Sequence, residues 1–352
     1  MLDTETLTSV VSVPVAFPSA TPFCGNVLAV DVGGTKTDVA LVRFAEGRAT
    51  PLAQHTYASA AYASLIELLD HFRTMAPAPD RLSLGVAGPV VAGKAQTTNL
   101  PWTVDAAQLS QHWNGIPVSL LNDLEASAYG LAALPAHDFA VLCPGTPSAE
   151  GNAAILSPGT GLGEAGLFWD GERYRPFPTE GGHADFAPRT EQDARLWRYL
   201  REQFGHVSWE RLVSGPGLVN IYTFLKEVER RPVPAWLADH PSDASLAKAI
   251  SEGAMRQQCP ICLETMQLFV HYLAQEAANL VLKLKATGGL FIGGGIVPRI
   301  RPLVTPDAFL PRFLQVGRLR PLLEKVPVYV VLNQQTALWG AAQYGAHAVP
   351  SE

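Results

Sequence analysis

NVLAVDVGGTKTDVALVRF, residues 26–44, is the stretch on which the reading of this chain turns. Val27, Leu28, Ala29, Val30 and Val32 make one apolar run, Gly33 and Gly34 interrupt it, and Val39, Ala40, Leu41 and Val42 make a second. Short runs of this kind around a glycine pair predict strand, tight turn, strand. The plan recurs in AAILSPGTGLGEAGLFW, residues 153–169, where Gly159, Gly161 and Gly163 separate two apolar runs. A chain that uses one unit twice, each copy followed by further helices and strands, reads as two α/β lobes with a cleft between them.

Working outward, residues 59–75 carry Ala63, Leu65, Leu68, Leu69 and Phe72 at helical spacing. RLSLGVAGPVV (81–91) predicts a strand entering a Gly-Pro turn, and PVSLLNDLEASAYGLAAL (117–134) a strand that ends at Asn122 and Asp123 and becomes a helix. Residues 261–286 hold the strongest helical pattern, with Leu263, Met266, Phe269, Val270, Leu273, Ala277, Leu280, Val281 and Leu284 on one stripe. GGLFIGGGIVPRI (288–300) predicts a buried strand with a glycine turn, 326–332 another strand, and 335–345 a closing helix. Pro232, Pro234 and Pro241 make 226–248 a long surface connection. The expected division is a loose extension at 1–25, a small lobe at 26–125 completed by the helix at 335–348, and a large lobe at 126–334.

Composition bounds the function. With 352 residues and 47% hydrophobic content the chain can bury a large core. Its 26 basic and 32 acidic side chains give a net charge of -6, which argues against general attraction to nucleic acid or anionic membrane. A polyanionic ligand would therefore rely on backbone N–H groups and helix starts. Cys24, Cys143, Cys259 and Cys262 are too few for a disulfide scaffold, and the pair Cys259/Cys262 supplies only half of a structural zinc site. Two thiols at a helix start, in a reducing cytoplasm, is the expectation. No apolar run reaches the ~18 residues a membrane span needs. Residues 1–25, with Asp3, Glu5, Pro14, Pro18, Pro22 and no basic segment, do not read as a signal peptide.

Five clusters have chemistry in them. In Asp31-Val32-Gly33-Gly34-Thr35-Lys36 the glycines allow close backbone approach, the N–H groups, Thr35 and Lys36 suit a phosphate, and Asp31 suits Mg2+ held through water. On spacing alone a plain type I′ hairpin is as good a reading. Ser157 to Gly163 is a second glycine turn, and matches neither the dinucleotide fingerprint nor the P-loop. Asn122 and Asp123 lie where a strand gives way to a helix, the edge at which open α/β sheets bind ligands. A carboxylate there can take a hydroxyl proton, and the same pair also makes an ordinary helix cap. Glu180, Gly181, Gly182, His183 and Asp185 form a polar loop suited to sugar hydroxyls; His183 and Asp185 also read as part of a metal site, without a further ligand cluster to support it, and His183 as a satisfied structural histidine. Gly293, Gly294 and Gly295 follow a strand and offer a flat surface to a base or ribose.

Taken together, LAVDVGGTKTDVALV, LSLGVAGPV, LLNDLEASAYGL, PGTGLGEAGL, EGGHADFAP, FGHVSWERLVSGPGLVNIY and GGLFIGGGIVPR resemble the bacterial glucokinase family of the hexokinase/actin-like ATPase superfamily, over about residues 27–345. The resemblance implies an α/β, two-lobed ribonuclease H-like fold and transfer of the γ-phosphoryl group of ATP to the 6-hydroxyl of glucose, the first step of glycolysis. It implies that Asp123 is the general base and that Asn122, Glu180, His183 and Glu210 bind the other sugar hydroxyls. Gly33, Gly34 and Thr35 would form the first phosphate loop, Gly159, Thr160 and Gly161 the second, and Gly293 to Gly295 the adenosine pocket. ATP, Mg2+, a cytoplasmic location and a homodimer come with it. Lys36 stands where the family commonly has Asn and Asp38 where it has Arg. The D-x-G-G-T-K form is that of the related ROK sugar kinases, whose cysteine-rich zinc motif is absent after His183. Mannose or glucosamine are alternative sugars. A sugar-sensing regulator is disfavoured because residues 1–25 are too short and Pro-broken for a DNA-binding motif.

Overall fold

The computed structural model describes residues 11, 13–97, 100–146, 151–238, 242–257 and 259–348. Two compact units make up the chain. The first is Met1–Asp138 with Asp170–Pro178 and Asn333–Glu352; the second is Phe139–Trp169 with Thr179–Leu332.

In the first unit, β1 (Gly25–Val32), β2 (Lys36–Ala45), β3 (Arg48–Ala58), β4 (Arg81–Val86) and β5 (Val118–Asn122) form a sheet in the order β3-β2-β1-β4-β5. The first three strands are antiparallel neighbours, whereas β1, β4 and β5 run parallel. Alternation along the strands sorts the faces. Leu28, Val30, Val32, Val39 and Leu41 pack with Leu68, Leu69 and Phe72 of helix Leu65–Arg73 and with Leu109 of helix Ala106–His112. Val27, Ala29, Ala40 and Val42 pack with Leu338, Ala341 and Ala342 of the C-terminal helix Thr336–His347.

The unit boundary falls at Asp138 rather than at the expected residue 125, because helix Asp123–Leu131 is packed backbone to backbone with Thr336–His347. A Cβ on Gly340 would collide with the carbonyl oxygen of Ala126, and one on Gly130 with that of Thr336.

The described part of the N-terminal extension is held down rather than loose. Val13 and Val15 are buried, Val15 bridges Tyr174, and the Phe23 N–H donates to the Ala346 carbonyl at 2.7 Å. Phe17 stacks on His347 at 4.5 Å and leans on Tyr129. Prolines set the extended backbone while the apolar residues between them find partners on the C-terminal helix. Residues 1–10 and 12 lie outside the described residues.

In the second unit, β6 (Phe139–Cys143), β7 (Ala153–Pro158), β8 (Leu162–Trp169), β9 (Gly289–Ile292) and β10 (Val328–Val331) are ordered β8-β7-β9-β10-β6. The parallel pairs are β7/β9 and β9/β10. The core forms around helix Pro260–Leu284, whose Met266, Phe269, Val270, Leu273, Ala277 and Val281 are buried. Cys259 sits at its N-cap and Cys262 in its first turn, both buried free thiols.

The expected surface connection at 226–248 is shorter than predicted, since helix Asp243–Met255 starts inside it. Ser242 and Ser245 form its capping box, a signal masked by the surrounding prolines. Residues 239–241 lie outside the described residues. Among the described residues no helix is long and apolar enough to cross a membrane.

Because Gly340 has no room for a side chain, Gly340→Ala is expected to cost about 1–3 kcal/mol of stability by overpacking, despite a helix-propensity gain of about 1 kcal/mol. Urea unfolding checks this; an unchanged or higher midpoint would show that the two helices can part without cost.

Candidate active site

Register arranges the candidate residues of the first unit. Asp31 of β1 lies beside Gly85 of β4, which lies beside Leu121 of β5; one residue on, Val32, Val86 and Asn122 are aligned. The three parallel strands therefore end at one edge, the C-terminal edge at which such sheets bind ligands. Glycine is needed in the middle of this row. A Cβ at Gly85 would stand 2.9 Å from the Ala126 Cβ and 3.7 Å from the Asp123 Cα. With none there, helix Asp123–Leu131 settles onto β4, and Asp123 comes near enough to Asp31 to act on its charge.

Asn122 is the helix N-cap. Its Oδ1 accepts from Leu124 N–H at 3.0 Å, and its Nδ2 donates to the Gly88 carbonyl at 3.1 Å. An amide has two N–H donors and two acceptor lone pairs, so these bonds leave capacity for a ligand hydroxyl. Asp123 Oδ1 accepts from its neighbour Leu124 N–H at 3.0 Å.

The first glycine turn is not a type I′ hairpin, because neither Gly33 nor Gly34 has a positive φ. It is a braced loop. Gly33 N–H donates to Lys36 O at 3.0 Å, Ser59 N–H to Thr35 O at 3.1 Å, and the Ser59 hydroxyl to Gly33 O at 2.8 Å. Lys36 pairs with the buried Asp38 at 2.6 Å, and Thr56 donates to the same carboxylate. The two positions that depart from the family pattern thus complement each other. Burial, then the charges of Asp123 and Asp38, push the Asp31 carboxyl up from 3.8 to about 7, against the opposing pull of Lys36. An acid in that state is one a cation would stabilise. Among the described residues no cluster of three or more His, Cys, Asp or Glu could hold a metal by itself.

The second unit holds the remaining candidate residues. Pro158 ends β7 and Gly159–Gly161 turn the chain, with Gly159 N–H donating to Gly161 O at 2.8 Å. Helix Gly215–Glu227 begins against this turn; its Gly215 N–H donates to Gly159 O at 2.9 Å, and Ser214 caps it. A helix N-terminus beside a glycine turn is suited to phosphate. Thr160 at the tip is exposed. Gly293–Gly295 adjoin the same turn: Gly293 N–H reaches Leu156 O at 2.9 Å and Ile296 N–H reaches Pro158 O at 3.3 Å. Gly294, at φ 78°, has a backbone that only glycine adopts easily, and a Cβ there would strike Pro158 O.

Glu210 joins this group. Its Oε2 accepts from Leu162 N–H at 3.0 Å, and the turn that bears it is tied to the polar loop by Trp209 N–H to Ala184 O, also 3.0 Å. Glu180 and His183, both exposed, are the ends of a short 3-10 turn closed by His183 N–H to Glu180 O at 3.0 Å. Asp185 pairs with His206 at 2.9 Å.

The structure thus gathers Asp31, Gly33, Gly34, Thr35, Lys36, Asn122 and Asp123 on one unit, and Gly159, Thr160, Gly161, Glu180, His183, Glu210 and Gly293 to Gly295 on the other. The supporting residues Gly85, Gly88 and Ser59 escaped the sequence reading. LSLGVAGPV held the signal for the first two, as glycines inside and just after a buried strand.

Known proteins share this fold. A family profile described as Glucokinase matches residues 28–348. The chain is 39% identical over 338 residues to a glucokinase of Nostoc punctiforme, covering 90% of this chain and 97% of that one. Among solved structures, a glucokinase from an Antarctic psychrotroph is 33% identical with a TM-score of 0.76, covering 90% of this chain and 97% of that one. A ROK family glucokinase from Streptomyces griseus, solved with glucose and AMPPNP, is 24% identical with a TM-score of 0.63, covering 90% and 98%, and shares the fold.

The raised Asp31 carboxyl makes a stability prediction. Its native value lies above the unfolded one, so its contribution is full below about 3.8 and is lost as pH climbs through about 7. Asp31→Asn cannot ionise, so its stability relative to the parent should grow from pH 5 to pH 8 in urea unfolding without nucleotide. An equal difference at both pH values would contradict the charge crowding.

Proposed function

This chain belongs to the glucokinase family, and from that premise we propose that it transfers the γ-phosphoryl group of ATP to the 6-hydroxyl of D-glucose, giving glucose 6-phosphate and ADP. The observation that carries the reading is the placement of Asp123 at the edge where β1, β4 and β5 end, one residue after a capping Asn and beside Asp31.

The division of labour follows from the chemistry of each group. Asp123 accepts the proton of the attacking hydroxyl, a general-base contribution of about 10²–10⁴-fold. Asn122, Glu180, His183 and Glu210 orient the sugar through its other hydroxyls, which makes the attack effectively unimolecular. The backbone N–H groups of Gly34, Thr35, Thr160 and Gly161, with the positive end of the dipole of helix Gly215–Glu227, hold phosphate oxygens, while the Gly33 and Gly159 N–H groups close the two loops on Lys36 O and Gly161 O. The side-chain-free surface of Gly293 to Gly295 takes the adenosine. Lys36 stays on Asp38 and tunes the first loop from there.

Mg2+ fits Asp31, because this carboxyl lies beside two other acids and a divalent cation relieves that crowding. When bound, Mg2+ supplies charge neutralisation to the phosphate oxygens. The reading carries with it the family's usual homodimer and a cytoplasmic location.

The test crosses glucose, mannose and glucosamine with ATP, ADP and polyphosphate, and identifies products by NMR. Glucose with ATP should give the highest kcat/KM, with phosphate on the 6-position. A clear preference for another sugar would reassign the substrate, and no phosphorylated sugar in any cell of the panel would reject the kinase. In the same assay Glu180→Ala or His183→Ala should raise the glucose KM about 10- to 100-fold, as expected for a lost hydrogen bond to a charged or partly charged group.

A further inference from the structure

Directly beneath the turn that carries Glu180 and His183 lies a pair of buried acids that the reaction above does not use. Glu164, in β8, is 1% exposed, and Glu276, in helix Pro260–Leu284, is fully buried. The two carboxyl groups are hydrogen-bonded to each other. Glu276 also accepts from Asn279 Nδ2 at 2.8 Å and from Lys283 Nζ at 3.2 Å, while Glu164 Oε1 is buried with no hydrogen-bond partner among the described residues.

Glu164 is in contact with the turn. A Cβ on Gly181 would collide with Glu164 Oε2. The Glu164 carbonyl accepts from the Thr179 hydroxyl at 3.1 Å, and that hydroxyl accepts from Gly181 N–H at 3.2 Å. The glycine of the turn therefore rests on the carboxyl group with no side chain between them.

We propose that Glu164 and Glu276 share one proton and that the neutralised pair is the floor on which the Glu180–His183 turn is set, making Glu164 a positioning residue for the sugar. This rests on the glucose-binding role proposed above for that turn.

Charge counting supports the shared proton. Two carboxyl groups face one adjacent ammonium, Lys283, whose side chain is half-exposed. Arg189 acts on Glu276 from further off, with its guanidinium on Asn279 Oδ1 at 3.5 Å. Two buried charges in contact with a single cation are far costlier than one, so one acid stays protonated at neutral pH. Burial, then the Glu276 charge, push Glu164 up to about 8, against the pull of Lys283. Glu164 is thus neutral below that value and ionises as pH rises through it. The second negative charge then repels Glu276 and draws water beneath Gly181, which shifts Glu180 and His183 away from the sugar. Asp123 belongs to the other unit and is untouched by this change.

The test is the pH profile of glucose KM and kcat from pH 6.5 to 9.5 for the full chain, its Glu164→Gln variant and its Glu276→Gln variant. The parent KM should climb above pH 8, by up to about tenfold per unit, while kcat changes little. Glu164→Gln mimics the protonated acid and should keep a flat KM across that range; Glu276→Gln, which also leaves a single ionisable acid, serves the same purpose should the first variant not fold. Glu180 and His183, the ionisable groups of the turn itself, are unchanged in both variants, so they cancel in the comparison. Variant profiles that follow the parent curve overturn the shared-proton floor and leave the kinase standing, whereas absence of glucose phosphorylation at every pH overturns both.

Discussion

Everything at the active edge of the first unit depends on three parallel strands ending in register with a glycine in the middle one. Gly85 separates Asp31 from Leu121 in the row, and its missing side chain lets helix Asp123–Leu131 descend onto the sheet. The helix is pressed from behind by Thr336–His347 through Gly130 and Gly340, so its first residue has little freedom to move. The crowding of Asp31, Asp38 and Asp123 around one lysine is the electrostatic consequence of that packing. Carboxylates forced together in this way are stabilised by a cation or by a proton, which is why the same geometry that suits a general base also suits Mg2+ nearby.

The second unit follows a different principle. Its candidate residues are carried mostly on backbone, with the Gly159–Gly161 turn, the capped start of helix Gly215–Glu227 and the Gly293–Gly295 turn knitted by main-chain hydrogen bonds. Turns braced in this way present their remaining N–H groups and a helix dipole to phosphate without adding basic residues, which reconciles a nucleotide-binding protein with a net charge of -6. Of the polar side chains, Glu210 is anchored by the Leu162 N–H, whereas Glu180 and His183 are exposed on a turn closed by its own main chain, with an acid pair beneath it.

Much of this was legible in the sequence, because its strongest signals are local. The paired strand–glycine–strand units, the Asn122-Asp123 junction and the stripe on helix Pro260–Leu284 all follow from patterns within a few residues. What escaped reading depends on register or on distant partners. Nothing around Gly85 says that Asp31 will lie on one side and Leu121 on the other. Glu164 and Glu276 lie far apart in the sequence, one on a strand and one on a helix, and only the fold brings their carboxyl groups together. The N-terminal segment looked loose because its apolar residues are isolated between prolines, yet Val15 bridges Tyr174 while Phe17 and Phe23 meet the C-terminal helix. Lys36 and Asp38 looked like separate departures from the family pattern until the strand brought them together as one ion pair.

The central claim is that Asp123 takes the proton from the attacking hydroxyl, and a single-turnover measurement on Asp123→Asn addresses it most directly. With enzyme in excess over ATP and glucose bound to saturation, the account predicts that phosphoryl transfer falls by about 10²–10⁴-fold while glucose affinity, read by calorimetry, stays within a few-fold of the parent. Transfer at near the parent rate in a variant that binds glucose normally would contradict it.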